Sequence, residues 1–242
     1  MSDVEIEVGY RAAERCAVWR HRLHRDPIGR IPVVFCHGVL GSHLTGLDPQ
    51  FDDTLRWLTH AGYPVLAPDL NGAAPFGNQG FLDSINQAVA WSATEYGTRT
   101  DRVGIVGQSM GGLALTWCRQ NPSRLAAAVF HLPVAQLAAF RTRNPLGLGG
   151  AVEAAYGGTS GYTAALPVHD PMQNTAAFAP IADRVRIWYS TNDDVVIPAE
   201  VTGFAAAAGI TALPIGAQGH GLGTWDQREG VNWMRAHMDR WP

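Results

Sequence analysis

The sequence predicts an α/β fold built on a mostly parallel sheet, and three observations carry the prediction. Between Ile31 and Leu132, apolar runs of strand length alternate with stretches whose apolar residues recur at helical spacing, so that strand, helix, strand repeats along the chain. One of those strands, Val103 to Val106, runs straight into Gly107-Gln108-Ser109-Met110-Gly111-Gly112 and then a helical pattern from Leu113 to Arg119, which places a serine on a sharp strand-to-helix turn. The length of 242 residues and a hydrophobic content of 46% are enough for one sizeable core, so a single domain over 1–242 is expected.

Taken in order, Val4, Ile6 and Val8 alternate with Glu5 and Glu7, and Arg15 to His21 is a second strand candidate. The pair suggests an antiparallel edge at the start of the sheet. After a turn signal at Asp26-Pro27-Ile28-Gly29, Ile31 to Cys36 reads as a strand buried on both faces and leads into His37-Gly38-Val39-Leu40-Gly41-Ser42. Asp48 or Asp52 then caps a helix that stops at Ala61-Gly62, and Pro64 to Asp69 follows as a short buried strand. The glycine-rich loop from Leu70 to Gly80 emerges at the carboxyl end of that strand, where α/β proteins bind ligands, so Phe76 and Asn78 are candidate substrate contacts. A loop of that composition also serves as a plain surface connection. Phe81 to Tyr96 is helical, and Leu125 to Leu132 is the strand after the serine turn.

From Pro133 to Pro180 the chain has little β-branched content and two glycine clusters. Because a structureless loop of that length is improbable inside a domain, small helices folding over the sheet edge are expected at about 134–180. Leu137, Phe140, Tyr156, Tyr162 and Leu166 either line a pocket there or anchor the segment to the core. A strand at Val185 to Ser190, a helix at Ala199 to Ala208, a strand at Ile210 to Ile215 and a C-terminal helix through Trp225, Val231, Trp233 and Met238 complete the pattern.

The serine turn needs glycine for a steric reason. A nucleophile on a tight elbow takes a strained backbone with positive φ, which brings residues two positions away on either side into contact, and only Gly107 and Gly111 avoid the clash. At this point the chain resembles the α/β-hydrolase superfamily, whose nucleophile elbow is G-x-S-x-G, and more particularly its bacterial esterases and lipases. The resemblance runs from about Pro32 to the C-terminal helix. It implies an α/β-hydrolase fold with helices on both faces of the sheet and a short cap after the sixth strand. It also implies an oxyanion hole formed by the N–H groups of Val39, in the H-G-x segment, and Met110. The superfamily places its acid in the loop Thr191 to Pro198. Counting forward from Ser190 selects Asp193, and counting back from Pro198 selects Asp194; the first count is preferred. His220, on the glycine loop 216–221 directly after the strand that follows the acid, gives the superfamily order of Ser, Asp and His. His37 reads as an internal hydrogen-bonder instead.

These parts imply a serine hydrolase that cleaves carboxylic esters of small molecules or lipids through an acyl-enzyme, esterase-like or lipase-like, with no metal and no cofactor. A thioesterase, amidase or acyltransferase would use the same parts, and a non-catalytic ligand-binding relative is the reading from another class. The net charge of -3 provides no basic field for nucleic acid. All 18 positive residues are arginine, which rules out a lysine Schiff base. No apolar window reaches bilayer length, so no membrane insertion is expected. The acidic start Met1 to Glu7 lacks a secretory pattern, and Cys16, Cys36 and Cys118 lack metal-ligand spacing; a cytoplasmic protein with reduced thiols is expected, the alternative being a mature secreted form whose signal has been removed. Oligomeric state is not legible.

Overall fold

The computed structural model describes residues 3–11, 14–22, 28–223 and 226–241. Asp26 and Pro27 of the expected turn, and Trp225 of the expected C-terminal helix, lie outside them. In chain order the elements are β1 (Val4–Arg11), β2 (Glu14–His21), β3 (Val33–Cys36), α1 (Pro49–His60), β4 (Val65–Pro68), α2 (Gln79–Tyr96) and β5 (Val103–Gln108). A 3-10 turn (Ser109–Ala114) then opens α3 (Leu115–Gln120), followed by β6 (Leu125–His131), α4 (Leu137–Arg143), α5 (Gly149–Ala154) and α6 (Thr159–His169). A second 3-10 segment (Pro171–Arg184) leads to β7 (Val185–Tyr189), α7 (Pro198–Ala208), β8 (Thr211–Pro214) and α8 (Arg228–Met238).

The strands form one eight-stranded sheet in the order β1-β2-β4-β3-β5-β6-β7-β8. β1 pairs antiparallel with β2, and β2 with β4; every later pair is parallel. The alternation of Val4, Ile6 and Val8 with glutamates thus marks a two-stranded antiparallel edge, whereas the continuous apolar runs of β3, β4, β5 and β6 are buried on both faces.

Side chains alternate across the sheet. Phe35, Val65, Val106, Val129 and Trp188 point to the face covered by α1 and α8, where they meet Leu55, Leu58, Val231 and Met234. Val34, Leu66, Ile105, Phe130 and Ile187 point to the opposite face, covered by α2, α3 and α7 through Leu82, Ile85, Trp117 and Phe204. Asp48 is the helix cap at α1, its side chain accepting from the Gln50 N–H, while Asp52 sits one turn in and pairs with Arg56. Gly209, with φ of +69°, ends α7 in the left-handed conformation expected of a C-terminal glycine. Among the described residues no helix is long and apolar enough to cross a membrane.

The segment between β6 and β7 folds as short helices whose apolar residues turn inward. Leu137, Phe140 and Tyr162 are buried, and Tyr156 and Leu166 pack against the same core. Three hydrogen bonds seat it on the loop before α2: the Tyr156 hydroxyl donates to the Phe76 carbonyl at 2.7 Å, the Asn78 amide donates to the Ala155 carbonyl at 2.8 Å, and His169 Nδ1 meets the Gly77 carbonyl at 2.7 Å.

That seating involves Phe76 and Asn78, the two candidate substrate contacts. Phe76 is fully buried against Phe140, and Asn78 is the N-cap of α2, its side-chain oxygen accepting from the Phe81 N–H at 3.0 Å. Both ends of the Asn78 amide are occupied by backbone. In the structure these residues hold the short helices and start α2.

Candidate active site

The parallel strands bring their carboxyl ends to one edge, and the loops that leave them converge there. Ser109 follows β5 with φ of +52°, a conformation an L-residue adopts only when its surroundings enforce it. Those surroundings are glycines. A Cβ at Gly107 would fall 2.6 Å from the Gly111 carbonyl oxygen, and one at Gly111 would lie 2.6 Å from the Cys36 carbonyl carbon. Gly38 in turn lies against Ser109, where an added Cβ would be 3.4 Å from the Ser109 Cβ. The turn after β5 and the turn after β3 are therefore packed backbone to backbone.

Met110 is the second residue of the 3-10 turn, where N–H groups have no partner within the helix. The Val39 N–H has no acceptor among the described residues, while its neighbour Leu40 donates to the Ala73 carbonyl at 2.7 Å. The Val39 and Met110 N–H groups follow β3 and β5, which are neighbours in the sheet. His37 is buried, with Nδ1 2.8 Å from the Gly38 carbonyl and Nε2 3.2 Å from the Asp69 carbonyl. Burial pulls its pKa down despite those carbonyls and the nearby Asp69 and Glu14, so the ring stays neutral and braces the turn.

The histidine comes from the far side. His220 Nε2 is 2.9 Å from Ser109 Oγ, and His220 Nδ1 is 2.8 Å from Asp193 Oδ2. Asp193 is buried, and its other oxygen accepts the N–H groups of Val195 and Val196, each at 2.9 Å. Asp194, the competing aspartate, is exposed. Of the two counts along that loop, the one from Ser190 meets the histidine.

Four successive residues of the loop after β7 reach the histidine loop. Ser190 Oγ accepts the Gln218 N–H at 2.9 Å, the Thr191 N–H donates to the Gly216 carbonyl at 2.9 Å, Asn192 Oδ1 accepts the Gly219 N–H at 2.7 Å, and Asp193 binds His220. Ser190 and Asn192 were not legible as part of this site, because a serine and an asparagine beside a strand end are ordinary turn formers. Cys16, Cys36 and Cys118 are buried, and burial raises the pKa of Cys36 and Cys118. Among the described residues no cluster of His, Cys, Asp or Glu is arranged to hold a metal ion.

Residues 49–215 match the model of the prolyl oligopeptidase family, Peptidase_S9. The chain belongs to the prolyl oligopeptidase family. The match takes in Ser109 and Asp193 and ends before His220. Membership makes the chain an α/β-hydrolase serine hydrolase. Among solved structures, this prolyl oligopeptidase family member is similar to the esterase Pf2001 of Pyrococcus furiosus, with a TM-score of 0.65 and 18% identity over 98% of this chain and 92% of that one. It is also similar to a structure from a study of two prolyl endopeptidases, with a TM-score of 0.68 and 17% identity over 99% of this chain and 38% of that one. At such identities the likeness is one of fold, and the chain spans well under half the length of the second structure. No curated protein sequence matches the chain.

Proposed function

We propose that the chain hydrolyses carboxylic esters through an acyl-enzyme on Ser109. The observation that carries this is the continuous relay from Ser109 Oγ through His220 to Asp193, at 2.9 and 2.8 Å. A serine hydroxyl attacks a carbonyl carbon usefully only as its proton is removed, and His220 Nε2 is placed to take it while the Oγ–C bond forms. Asp193 keeps the Nδ1–H tautomer and stabilises the imidazolium without accepting its proton. The charge that develops on the carbonyl oxygen is met by the Val39 and Met110 N–H groups, a contribution of about 3 kcal/mol for each donor. As the tetrahedral species collapses, His220 returns the proton to the departing alkoxide. Water then repeats the sequence on the acyl group and frees Ser109.

The ester assignment draws support from the Pyrococcus furiosus esterase, whose fold corresponds to this chain over nearly the whole length of both. The family match favours a second reading, in which the same serine cleaves peptide bonds. The two are separated by giving the wild type a panel of p-nitrophenyl esters from acetate to palmitate beside a proline-containing peptide anilide, with Ser109→Ala as the control. Fast ester cleavage with little anilide cleavage supports the proposal, and the reverse supports a peptidase. If a fluorophosphonate leaves Ser109 of the wild type unlabelled, neither reading survives.

A further inference from the structure

We propose that Ser190 and Asn192 form a clasp that positions His220, and that this pair, outside the relay itself, sets how well the imidazole engages Ser109. The inference rests on the serine-hydrolase reading of the relay. Its starting point is the poverty of the histidine loop. Residues 215–221 belong to no helix or strand, and Gly216 and Gly219 take φ of +87° and +64°, so the backbone on the amino-terminal side of His220 is intrinsically free. Yet an imidazole that must bridge two partners tolerates little displacement.

The clasp supplies the missing restraint. Ser190 is fully buried at the end of β7, so its hydroxyl is fixed by the sheet. It accepts the Gln218 N–H at 2.9 Å and donates to Asn192 Oδ1 at 2.9 Å. That same oxygen accepts the Gly219 N–H at 2.7 Å, the peptide immediately before His220. One side-chain oxygen thus ties the strand end to the residue next to the imidazole, and the adjoining residue, Asp193, holds the ring itself. Restraint of the main chain and restraint of the ring come from neighbouring positions on one rigid turn, so the tilt of the imidazole is set from two points. Asn192 is exposed, which means no packing requirement accounts for it.

The test uses the full chain as wild type, Asn192→Ala and Asn192→Asp, with activity per site titrated by fluorophosphonate. Loss of the clasp in Asn192→Ala is expected to lower kcat by about tenfold with KM within about twofold. Asn192→Asp keeps both acceptor contacts, so it is expected to recover kcat to within about threefold of wild type. Its added carboxylate favours the imidazolium, so the acid limb of the kcat/KM profile moves to higher pH. Amide hydrogen exchange at Gly219 reads the clasp without turnover: about tenfold faster in Asn192→Ala and restored in Asn192→Asp. Unchanged exchange in Asn192→Ala, or wild-type kcat per titrated site, overturns the clasp. If the wild type neither labels nor turns over while exchange at Gly219 still responds, the tether to the loop stands and the hydrolase reading beneath it fails.

Discussion

Gly111 packs on the Cys36 carbonyl so closely that a Cβ there would overlap the carbonyl oxygen. The contact joins the serine turn to the end of β3, and both sides of it are backbone, so neither can yield by changing rotamer. Gly111→Ala is therefore expected to destabilise the fold by about 1–3 kcal/mol and to abolish ester cleavage. Gly150 is the contrast: it lies exposed in α5 with nothing near its Cβ direction, and Gly150→Ala is expected to stabilise by about 0.5–1 kcal/mol. Urea denaturation of both variants measures the difference.

Asp193 and Asp194 are chemically alike and adjacent, yet only Asp193 meets His220. Asp193→Asn is expected to lower kcat by about 10³–10⁴-fold, because the amide favours the wrong imidazole tautomer. Asp194→Asn, at an exposed position, is expected to leave kcat within about twofold. Steady-state kinetics on a p-nitrophenyl ester decides it, and loss in the second variant alone would move the acid to Asp194.

Asn78 caps α2 and holds the Ala155 carbonyl. Asn78→Ala is expected to cost about 1–2 kcal/mol of stability, measured by denaturant, with KM for short esters changed by less than about twofold. A large KM change at unchanged stability would instead support Asn78 as a substrate contact.

His131 is buried at the end of β6 beside Trp188, and burial lowers its pKa to about 3. The folded ring stays neutral to that pH, whereas the unfolded ring takes a proton near 6.5. Over the interval between, the unfolded chain binds more protons, so stability is present above about 6.5 and is lost as pH falls. For this residue alone the loss between pH 7 and pH 5 is about 2 kcal/mol. His37 and His169, also lowered by burial, act in the same direction, while Asp170, raised by burial, opposes them. His131→Phe is expected to flatten the pH dependence of unfolding measured in urea between pH 7 and pH 5.

How much of this was legible depended on what each signal encodes. Gly107, Ser109 and Gly111 could be read because a positive-φ turn excludes side chains at fixed offsets, and the alternating strands and helices because burial on two faces leaves continuous apolar runs. Asp193 and Asp194 could be reduced to a pair and ordered only by counting, since the deciding fact is three-dimensional: the Val195 and Val196 N–H groups hold one carboxylate under the histidine. Asn78 carried two signals, an asparagine just ahead of a helical pattern and a glycine-rich loop at a strand end, and the cap is the one that the fold alone displays. The chain's family emerged from comparison, because a nucleophile turn is shared across the superfamily and does not distinguish its branches.

Ser109 follows β5 and Asp193 follows β7, with β6 lying between those strands. Two strand spacings amount to about 9.6 Å, more than the roughly 8 Å an imidazole covers with a hydrogen bond at each end, and the serine and aspartate side chains make up the difference. The intervening strand lends no group to the relay and yet acts as its gauge block. Enzymatic activity then doubles as a ruler on the sheet: inactivation by denaturant should track the cooperative loss of the sheet, and fraying of the antiparallel β1 edge should leave it untouched.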